Sequence, residues 1–164
     1  MTDLIDVDEK YKKGWTSGLP ETPCGHGSMI SNTAKQRLWI PKLVIEHKIK
    51  SIVDIGAGDL NWIKQMPLPV GVIYKPFDLV PRDASVNSFN LNTTIAPKAD
   101  LIMCLWVLNH FPELKIENAF NNLLKSQSKF LLITLRDTWW KPKLDIVDMI
   151  ILNNKKDIMV LAKI

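Results

Sequence analysis

This sequence of 164 residues contains only two cysteines, Cys24 and Cys104. They lie far apart and show neither Cys-x-x-Cys spacing nor the spacing of Cys and His metal ligands. A scaffold built on disulfides and a structural zinc site are therefore not expected, and we predict no metal ion.

Long hydrophobic runs are also missing. No apolar stretch approaches the roughly 20 residues that a transmembrane helix needs. The first residues, MTDLIDVDEKYKK, are acidic and then basic, where a signal peptide would have an apolar core. We therefore expect a cytoplasmic protein that has no membrane partner.

Positive charge is present but is not concentrated. The net charge is +4 and the pI is near 9.0, yet the lysines never form a run of five or six. Such charge permits nucleic-acid binding without arguing for it. With 46% hydrophobic and 23% charged residues, the composition is typical of a globular protein, and we predict a single domain over residues 1–164.

Short apolar segments alternate with amphipathic ones along the chain. Strands are predicted at 49–55, 71–79, 86–91, 99–105 and 130–135, and a hairpin is predicted from DMIILNN and DIMVLAKI around residues 153–156. Helices are predicted at 34–48, after the capping residues Ser31, Asn32 and Thr33, at 60–65 and at 113–126. This order predicts an α/β fold with a doubly wound, mostly parallel sheet and a C-terminal antiparallel hairpin.

The first predicted strand ends in a glycine turn, within the stretch SIVDIGAGDLNW. Ligands of doubly wound sheets bind beyond the carboxyl ends of the strands, where Gly56 and Gly58 lie. The dinucleotide fingerprint would need a third glycine where Asn61 stands, and the Lys-Ser/Thr of a P-loop is absent. Asp54 and Asp59 would repel phosphates but accept hydrogen bonds from amines and hydroxyls. The turn therefore favours a nucleoside that carries a cationic amine.

A further carboxylate ends the second predicted strand. Asp78 follows the glycine turn by about 20 residues, which is the spacing at which an acid accepts hydrogen bonds from ribose hydroxyls. The alternative is that the glycines make only a tight turn and that the acids cap it.

These segments resemble the class I S-adenosylmethionine-dependent methyltransferases, which have a Rossmann-like fold. VDIGAGDLNW resembles their first motif, FDL the second, SFNL the third and ADLIMCLWVLNHFPE the fourth, while FLLITL resembles the fifth strand. The chain departs from the pattern at Pro76, which interrupts the second strand. It also departs in the short region after FLLITL, where the last crossover helix is truncated or missing.

The resemblance implies S-adenosylmethionine as the cofactor. The residues that it implies for cofactor binding are Asp54, Gly56, Ala57, Gly58, Asp59, Trp62, Asp78, Leu79, Asn90, Leu91, Leu105, Trp106 and Arg37. For Trp62 and Trp106, stacking on the cofactor and packing in the core remain equal alternatives.

The N-terminal part, PCGHGSMISNTAKQRLWIPKL, is similar to a bacterial and phage subgroup of these methyltransferases. In that subgroup a Gly-x-Gly-Ser segment and a helix bearing an arginine precede the core, which we match to Gly25, Gly27, Ser28 and Arg37. Residues 1–48 are accordingly expected to cover the site, and residues 49–164 to form the core.

His110 is the candidate catalytic residue. Neutral imidazole at this position would remove a proton from an attacking oxygen or nitrogen. The alternative is that His110 serves only packing or hydrogen bonding at the junction of a strand and a helix. Methyl transfer can also proceed by positioning alone, without a base.

The methyl acceptor is constrained mainly by what the motifs lack. The Asp/Asn-Pro-Pro-Tyr/Phe segment of DNA amino-methyltransferases is replaced by LWVLN, and neither cysteine suits cytosine C5 chemistry. We therefore predict transfer to a hydroxyl or amine of a small molecule or sugar. The alternatives are a protein that binds or consumes S-adenosylmethionine without a methyl acceptor, and a nucleic-acid methyltransferase. The oligomeric state is left open.

Overall fold

A seven-stranded sheet organises the chain. The structure, a computed structural model, describes residues 16–136, 140, 142–152 and 157–164. The strands are β1 (Ser51–Ile55), β2 (Ile73–Asp78), β3 (Asn87–Ser88), β4 (Leu101–Cys104), β5 (Phe130–Arg136), β6 (Asp145–Ile151) and β7 (Asp157–Lys163). Their order in the sheet is β3-β2-β1-β4-β5-β7-β6.

The first five strands are parallel, and β7 runs antiparallel to both of its neighbours, β5 and β6. This confirms the predicted doubly wound, mostly parallel sheet with an antiparallel C-terminal hairpin. The hairpin does not simply extend the sheet, because β7 inserts between β5 and β6. The predicted turn at residues 153–156 lies outside the described residues.

The two α-helices of the described chain, α1 (Ala34–Glu46) and α2 (Glu113–Leu124), pack on opposite faces of the sheet. Because side chains alternate along a strand, Ile52 joins the core that contains α1, and Val53 joins the core that contains α2. All four residues of β4 are buried. Because helices cover both faces of the sheet, successive side chains of a central strand are all buried, and such strands appear in the sequence as continuous apolar runs.

Helix α1 follows the prediction closely but starts differently. It continues through Pro41, which is buried within it. Thr33 is the N-cap residue, yet its hydroxyl donates backwards to the Met29 carbonyl (2.9 Å) and makes no capping bond. The predicted cap is therefore correct in position and wrong in mechanism.

The segment after the glycine turn is where the sequence prediction fails. In place of the predicted helix at 60–65, the chain forms turns and one short 3₁₀ helix, Ile63–Gln65. Pro67 and Pro69 follow at once, so the chain has no room for α-helical turns. The third strand, predicted at 86–91, is only two residues long.

Pro76 lies inside β2, as the sequence placed it, and near the edge of the sheet. Its carbonyl accepts a hydrogen bond from Asn87 Nδ2 (3.2 Å), on the side of β3. β3 pairs only with Phe77 and Asp78. The N–H that proline lacks would therefore point to a side of β2 that has no strand partner at this position.

The connection from β5 to β6 spans residues 137–144, and its described part, residues 140 and 142–144, contains no helix. Trp140 packs edge-on against Phe120 of α2, with ring centroids 4.6 Å apart. It therefore covers part of the sheet face on which a crossover helix would otherwise pack. Trp139 lies outside the described residues. Among the helices that are described, none combines the length and apolarity needed to cross a bilayer.

A pair of substitutions in α1 tests this packing. Ile40 is 0% exposed and Leu38 is 71% exposed. We expect Ile40→Ala to lower the free energy of unfolding by about 2–5 kcal/mol, since it leaves a cavity in the core. Leu38→Ala, the matched control, should change it by no more than about 0.5 kcal/mol. Urea unfolding measures both, and equal effects would contradict the assignment of the buried face.

Candidate functional site

A cavity of about 500 Å³ lies at the carboxyl ends of β1, β2, β4 and β5. The glycine turn and the segments that follow β2, β3 and β4 line it, and so do residues 24–28, which precede α1. Ligands of open α/β sheets bind at this end of the strands. The cavity is therefore the candidate functional site.

The glycine turn can be built only with glycine. Gly56 and Gly58 have φ angles of 84° and 62°, a region that other residues adopt only with strain. A Cβ atom on Gly56 would lie 2.1 Å from Cγ2 of Val107, and one on Gly58 would lie 2.9 Å from Sγ of Cys24. Both conformation and space therefore require glycine at these positions.

Asp78 is fixed against this turn. Its carboxylate accepts hydrogen bonds from the backbone N–H groups of Gly58 (2.8 Å) and Val80 (3.0 Å). Burial raises the pKa of the Asp78 carboxyl above its usual value, while these bonds and the charge of Arg82 oppose the rise. A carboxylate has about four acceptor positions, so Asp78 can accept further hydrogen bonds from a ligand in the cavity that it lines.

Asp54 plays a different part, in the interior below the turn. It is 3% exposed and accepts a hydrogen bond of 2.5 Å from the Tyr74 hydroxyl of β2. Burial, and to a lesser extent the charge of Asp78, raises its pKa from 3.8 to about 7, although the bond from Tyr74 lowers it. Asp54 therefore supports the strand end without lining the cavity.

Aromatic and apolar side chains form another wall. Phe89 and Leu91 come from the segment after β3, and Leu105 and Trp106 from the segment after β4. Trp106 has a positive φ of 60°, which is strained for a bulky residue and is typical of functional sites. A Cβ atom on Gly27 would lie 3.1 Å from the Trp106 ring, so the glycine lets the N-terminal segment approach the ring closely.

The N-terminal segment is tied to the core next to the cavity. Asn61 Nδ2 donates to the Ser28 carbonyl (3.0 Å) and to Glu21 Oε1 (2.8 Å). The same Glu21 oxygen accepts the backbone N–H of Ile30 (2.7 Å). Asn61, which stands in the position of the missing third glycine, therefore anchors the segment that borders the site.

The thiols are not poised for nucleophilic chemistry. Burial, followed by the charge of Asp59, raises the pKa of Cys24 to about 11. Burial also raises the pKa of Cys104, in β4, well above its usual value. Both side chains remain thiols at neutral pH, whereas a cysteine nucleophile reacts as the thiolate.

In the described part of the chain, no group of three or more His, Cys, Asp or Glu side chains is arranged to hold a metal ion.

The structure brings nine of the fourteen predicted site residues to the cavity. They are Gly56, Gly58, Asp78, Leu79, Asn90, Leu91, Leu105, Trp106 and His110. His110 ends the 3₁₀ helix Leu108–His110, directly after the segment that follows β4. Five predicted residues do not line the cavity: Asp54, Ala57, Asp59, Trp62 and Arg37.

Asp54 lies below the turn, as described above, and three of the other four also have clear structural positions. Trp62 and Ala57 are buried in the core on the α1 side of the sheet, so Trp62 follows the packing alternative. Arg37 donates from Nη2 to the Ile30 carbonyl (3.0 Å) and thereby ties α1 to the segment before it. Arg37 is not among the residues that line the cavity, and its implied contact with the cofactor stays a prediction.

Several lining residues were not predicted from the sequence as site residues. They are Cys24, Asn32, Gln36, Arg82, Phe89, Val107, Asn109, Phe111, Arg136, Leu152 and Asp157. Phe89 and Val107 lie within the motifs that were recognised, so the sequence could have indicated that they line the site. Nothing in the sequence indicates Gln36, Arg136 and Asp157, because only the tertiary fold brings them together.

The sequence matches no protein-family model and no curated protein. Solved structures, however, match its fold. The N-methyltransferase NodS from Bradyrhizobium japonicum WM9, in complex with S-adenosyl-L-homocysteine, superposes with a TM-score of 0.68 at 12% identity, over 96% of this chain and 98% of NodS.

Two further structures are similar. Magnesium protoporphyrin IX methyltransferase (ChlM) from Synechocystis PCC 6803 has a TM-score of 0.60 at 8% identity, over 94% of this chain and 93% of ChlM. The 16S rRNA methyltransferase RmtF has a TM-score of 0.58 at 13% identity, over 81% of this chain and 64% of RmtF. The chain therefore has the fold of class I S-adenosylmethionine-dependent methyltransferases.

The geometry of the glycine turn makes a prediction about stability. Gly56→Ala should lower the free energy of unfolding, because alanine at positive φ costs about 1–2 kcal/mol and its Cβ also collides with Val107. Urea unfolding of Gly56→Ala, Val107→Ala and the double variant separates the two terms. In the Val107→Ala background only the conformational cost should remain. An equal loss in both backgrounds would show that the collision is relieved by other means.

The buried Asp54 makes a prediction about pH. Its raised pKa means that its contribution to stability is fully present below pH 3.8 and is lost as the pH rises to about 7. A rise from 3.8 to about 7 corresponds to about 4 kcal/mol. We expect Asp54→Asn, which still accepts a bond from Tyr74, to remove this loss. Urea unfolding of both proteins from pH 4 to 8 measures the difference, and parallel profiles would contradict the raised pKa.

Proposed function

We propose that the protein is an S-adenosylmethionine-dependent methyltransferase that acts on a hydroxyl or amine of a small molecule or sugar. One observation carries the proposal: the glycine turn and the carboxylate of Asp78, joined by the bond from Gly58, lie together at the cavity. A ligand with hydroxyls to donate and a body that approaches backbone closely fits this arrangement.

The residues present fit the cofactor. Asp78 would accept hydrogen bonds from ribose hydroxyls, and Gly56 and Gly58 leave room for the ligand against the backbone. Phe89 and Leu91, which line the same cavity, offer apolar surface to an adenine ring. Similarity to NodS and ChlM, which were solved with S-adenosylhomocysteine, supports this assignment.

S-adenosylmethionine, when bound, supplies an electrophilic methyl group. This chain's own contribution would be to bind the acceptor and to exclude water. His110, which lines the cavity, would take the proton that the hydroxyl or amine of the acceptor loses. Trp106, which lines the same cavity, would offer aromatic surface to a cationic ligand centre.

A small acceptor fits the shape of the site. The cavity has a volume of about 500 Å³ and is bordered by residues 24–28, a size typical of small-molecule sites. A nucleic-acid acceptor is the second candidate, because the rRNA methyltransferase RmtF is among the similar structures and the chain carries a net charge of +4. Binding to RNA that weakens steeply with salt would favour that candidate.

Titration calorimetry with S-adenosylmethionine and S-adenosylhomocysteine tests the proposal. We expect micromolar binding of both. Formation of S-adenosylhomocysteine that depends on an added small hydroxyl or amine compound would establish transfer. Loss of S-adenosylmethionine without any added acceptor would instead indicate a protein that consumes the cofactor. If neither compound binds, the proposal is wrong.

The contact with ribose is tested by a matched pair of substitutions. Asp78→Asn should weaken binding of S-adenosylhomocysteine by about 1–3 kcal/mol, because hydrogen bonds to a charged acceptor are lost. Asp59→Asn removes the same charge from a residue that does not line the cavity and should leave the affinity nearly unchanged. The assignment would be wrong if calorimetry gave the opposite ranking.

A further inference from the structure

Three polar residues line the part of the cavity that lies away from the glycine turn. Arg136 ends β5 and Asp157 begins β7. Gln36 lies in the first turn of α1, whose Lys35 donates from Nζ to the Ile151 carbonyl at the end of β6 (3.1 Å). In the sheet order, β4 separates β1 from β5, and β7 follows β5. With neighbouring strands about 4.8 Å apart, β7 lies ~14 Å from β1. Binding of the cofactor at β1 and β2 would leave this side to the acceptor.

Arg136 is held in place by a buried partner. Its Nε donates to Oδ1 of Asp157 (3.0 Å), and the two residues are direct register partners on β5 and β7. The Asp157 side chain is 1% exposed, whereas that of Arg136 is 46% exposed. The buried carboxylate therefore fixes the guanidinium while leaving much of it accessible.

The terminal nitrogens of Arg136 are available to a ligand. Its one hydrogen bond within the described part of the chain runs through Nε. The guanidinium has five N–H donors in a planar fork that matches a carboxylate or phosphate. A fixed guanidinium loses little freedom when it binds such a group.

Gln36 provides an independent sign of a ligand. It is 3% exposed and lines the cavity, yet its Oε1 has no hydrogen-bond partner in the described structure. A buried acceptor that has lost its bonds to water and gains no partner destabilises the folded protein. Such a cost is removed when a ligand donates an O–H or N–H to this oxygen. Arg136 is therefore suited to bind an anion, and Gln36 to accept a hydrogen bond from a donor on the same ligand.

We propose that the acceptor is a small anionic molecule whose carboxylate or phosphate binds Arg136 and whose hydroxyl or amine donates to Gln36. This inference rests on the proposed function, since it names the class of acceptor for the same site. Leu152, the residue after β6, adds an apolar surface to this side of the cavity. An acceptor with a compact apolar body between its polar groups fits this combination.

Calorimetry with four probes, in saturating S-adenosylhomocysteine, tests the proposal. The probes are benzoate, phenyl phosphate, neutral benzamide and cationic benzylammonium. We expect benzoate or phenyl phosphate to bind at least about tenfold more tightly than the neutral and cationic probes, since charge-assisted bonds are the stronger ones. The comparison of the first two distinguishes a carboxylate from a phosphate. Equal binding of all four, or binding of none at millimolar concentration, would overturn the proposal.

Substitutions identify the residue responsible. Arg136→Gln should weaken the preferred anion at least tenfold, and Arg136→Lys should retain part of its affinity. Lys163→Gln is the control, because it removes one positive charge from an exposed residue at the other end of β7. Unchanged affinity in Arg136→Gln, or the same loss in Lys163→Gln, would refute the role of Arg136.

A second variant covers the case in which Arg136→Gln fails to fold because the buried Asp157 loses its bond from Arg136. Gln36→Glu places a negative charge in the same part of the cavity and should weaken the anion while strengthening benzylammonium. Failure of this reversal would count against the proposal. Binding of S-adenosylhomocysteine, measured on every protein, separates the two levels. If S-adenosylhomocysteine binds and the anions do not, only the acceptor class is wrong. If S-adenosylhomocysteine itself fails to bind, the proposed function is overturned.

Discussion

The hydrogen bond between the Gly58 backbone and the Asp78 carboxylate joins the two strand ends on which the site depends. Just before it, the N–H groups of Gly56 and Ala57 both donate to the Phe77 carbonyl (2.8 and 3.0 Å). The end of β1, the turn and the end of β2 therefore form one hydrogen-bonded unit. Because the carboxylate that anchors the turn also lines the cavity, any change in the turn alters the ligand-binding surface as well.

The N-terminal segment completes the cavity through close contacts that depend on small residues. Gly27 lies against the ring of Trp106, and Cys24 lies against Gly58. The segment is bonded to Asn61, just beyond the glycine turn. Two regions that are distant in the sequence thus meet at the same turn. Trp106, which has a positive φ, contacts the N-terminal segment at Gly27 and follows the end of β4 directly.

The parts of this architecture that depend on local chemistry could be predicted from the sequence. Buried strands appear as apolar runs, and the glycine turn shows its conformational requirement directly. The prediction of a helix at 60–65 was wrong because Pro67 and Pro69 follow too closely for α-helical turns to form. The sequence could not decide whether Trp62 packs in the core or stacks on a ligand, since an indole packs equally well in either place. Gln36 gave no signal, because its burial and its lack of a partner arise only when α1 packs over the sheet.

The order of the last three strands shows most clearly what the sequence conceals. Arg136 and Asp157 are 21 residues apart, and nothing in their local surroundings links them. They become register partners because β7 inserts between β5 and β6. If the strands followed one another as β5-β6-β7, Asp157 would lie one strand further from Arg136, and the guanidinium would lose its buried partner. The same insertion that completes the sheet therefore places a fixed positive group on the side of β4 opposite to Asp78.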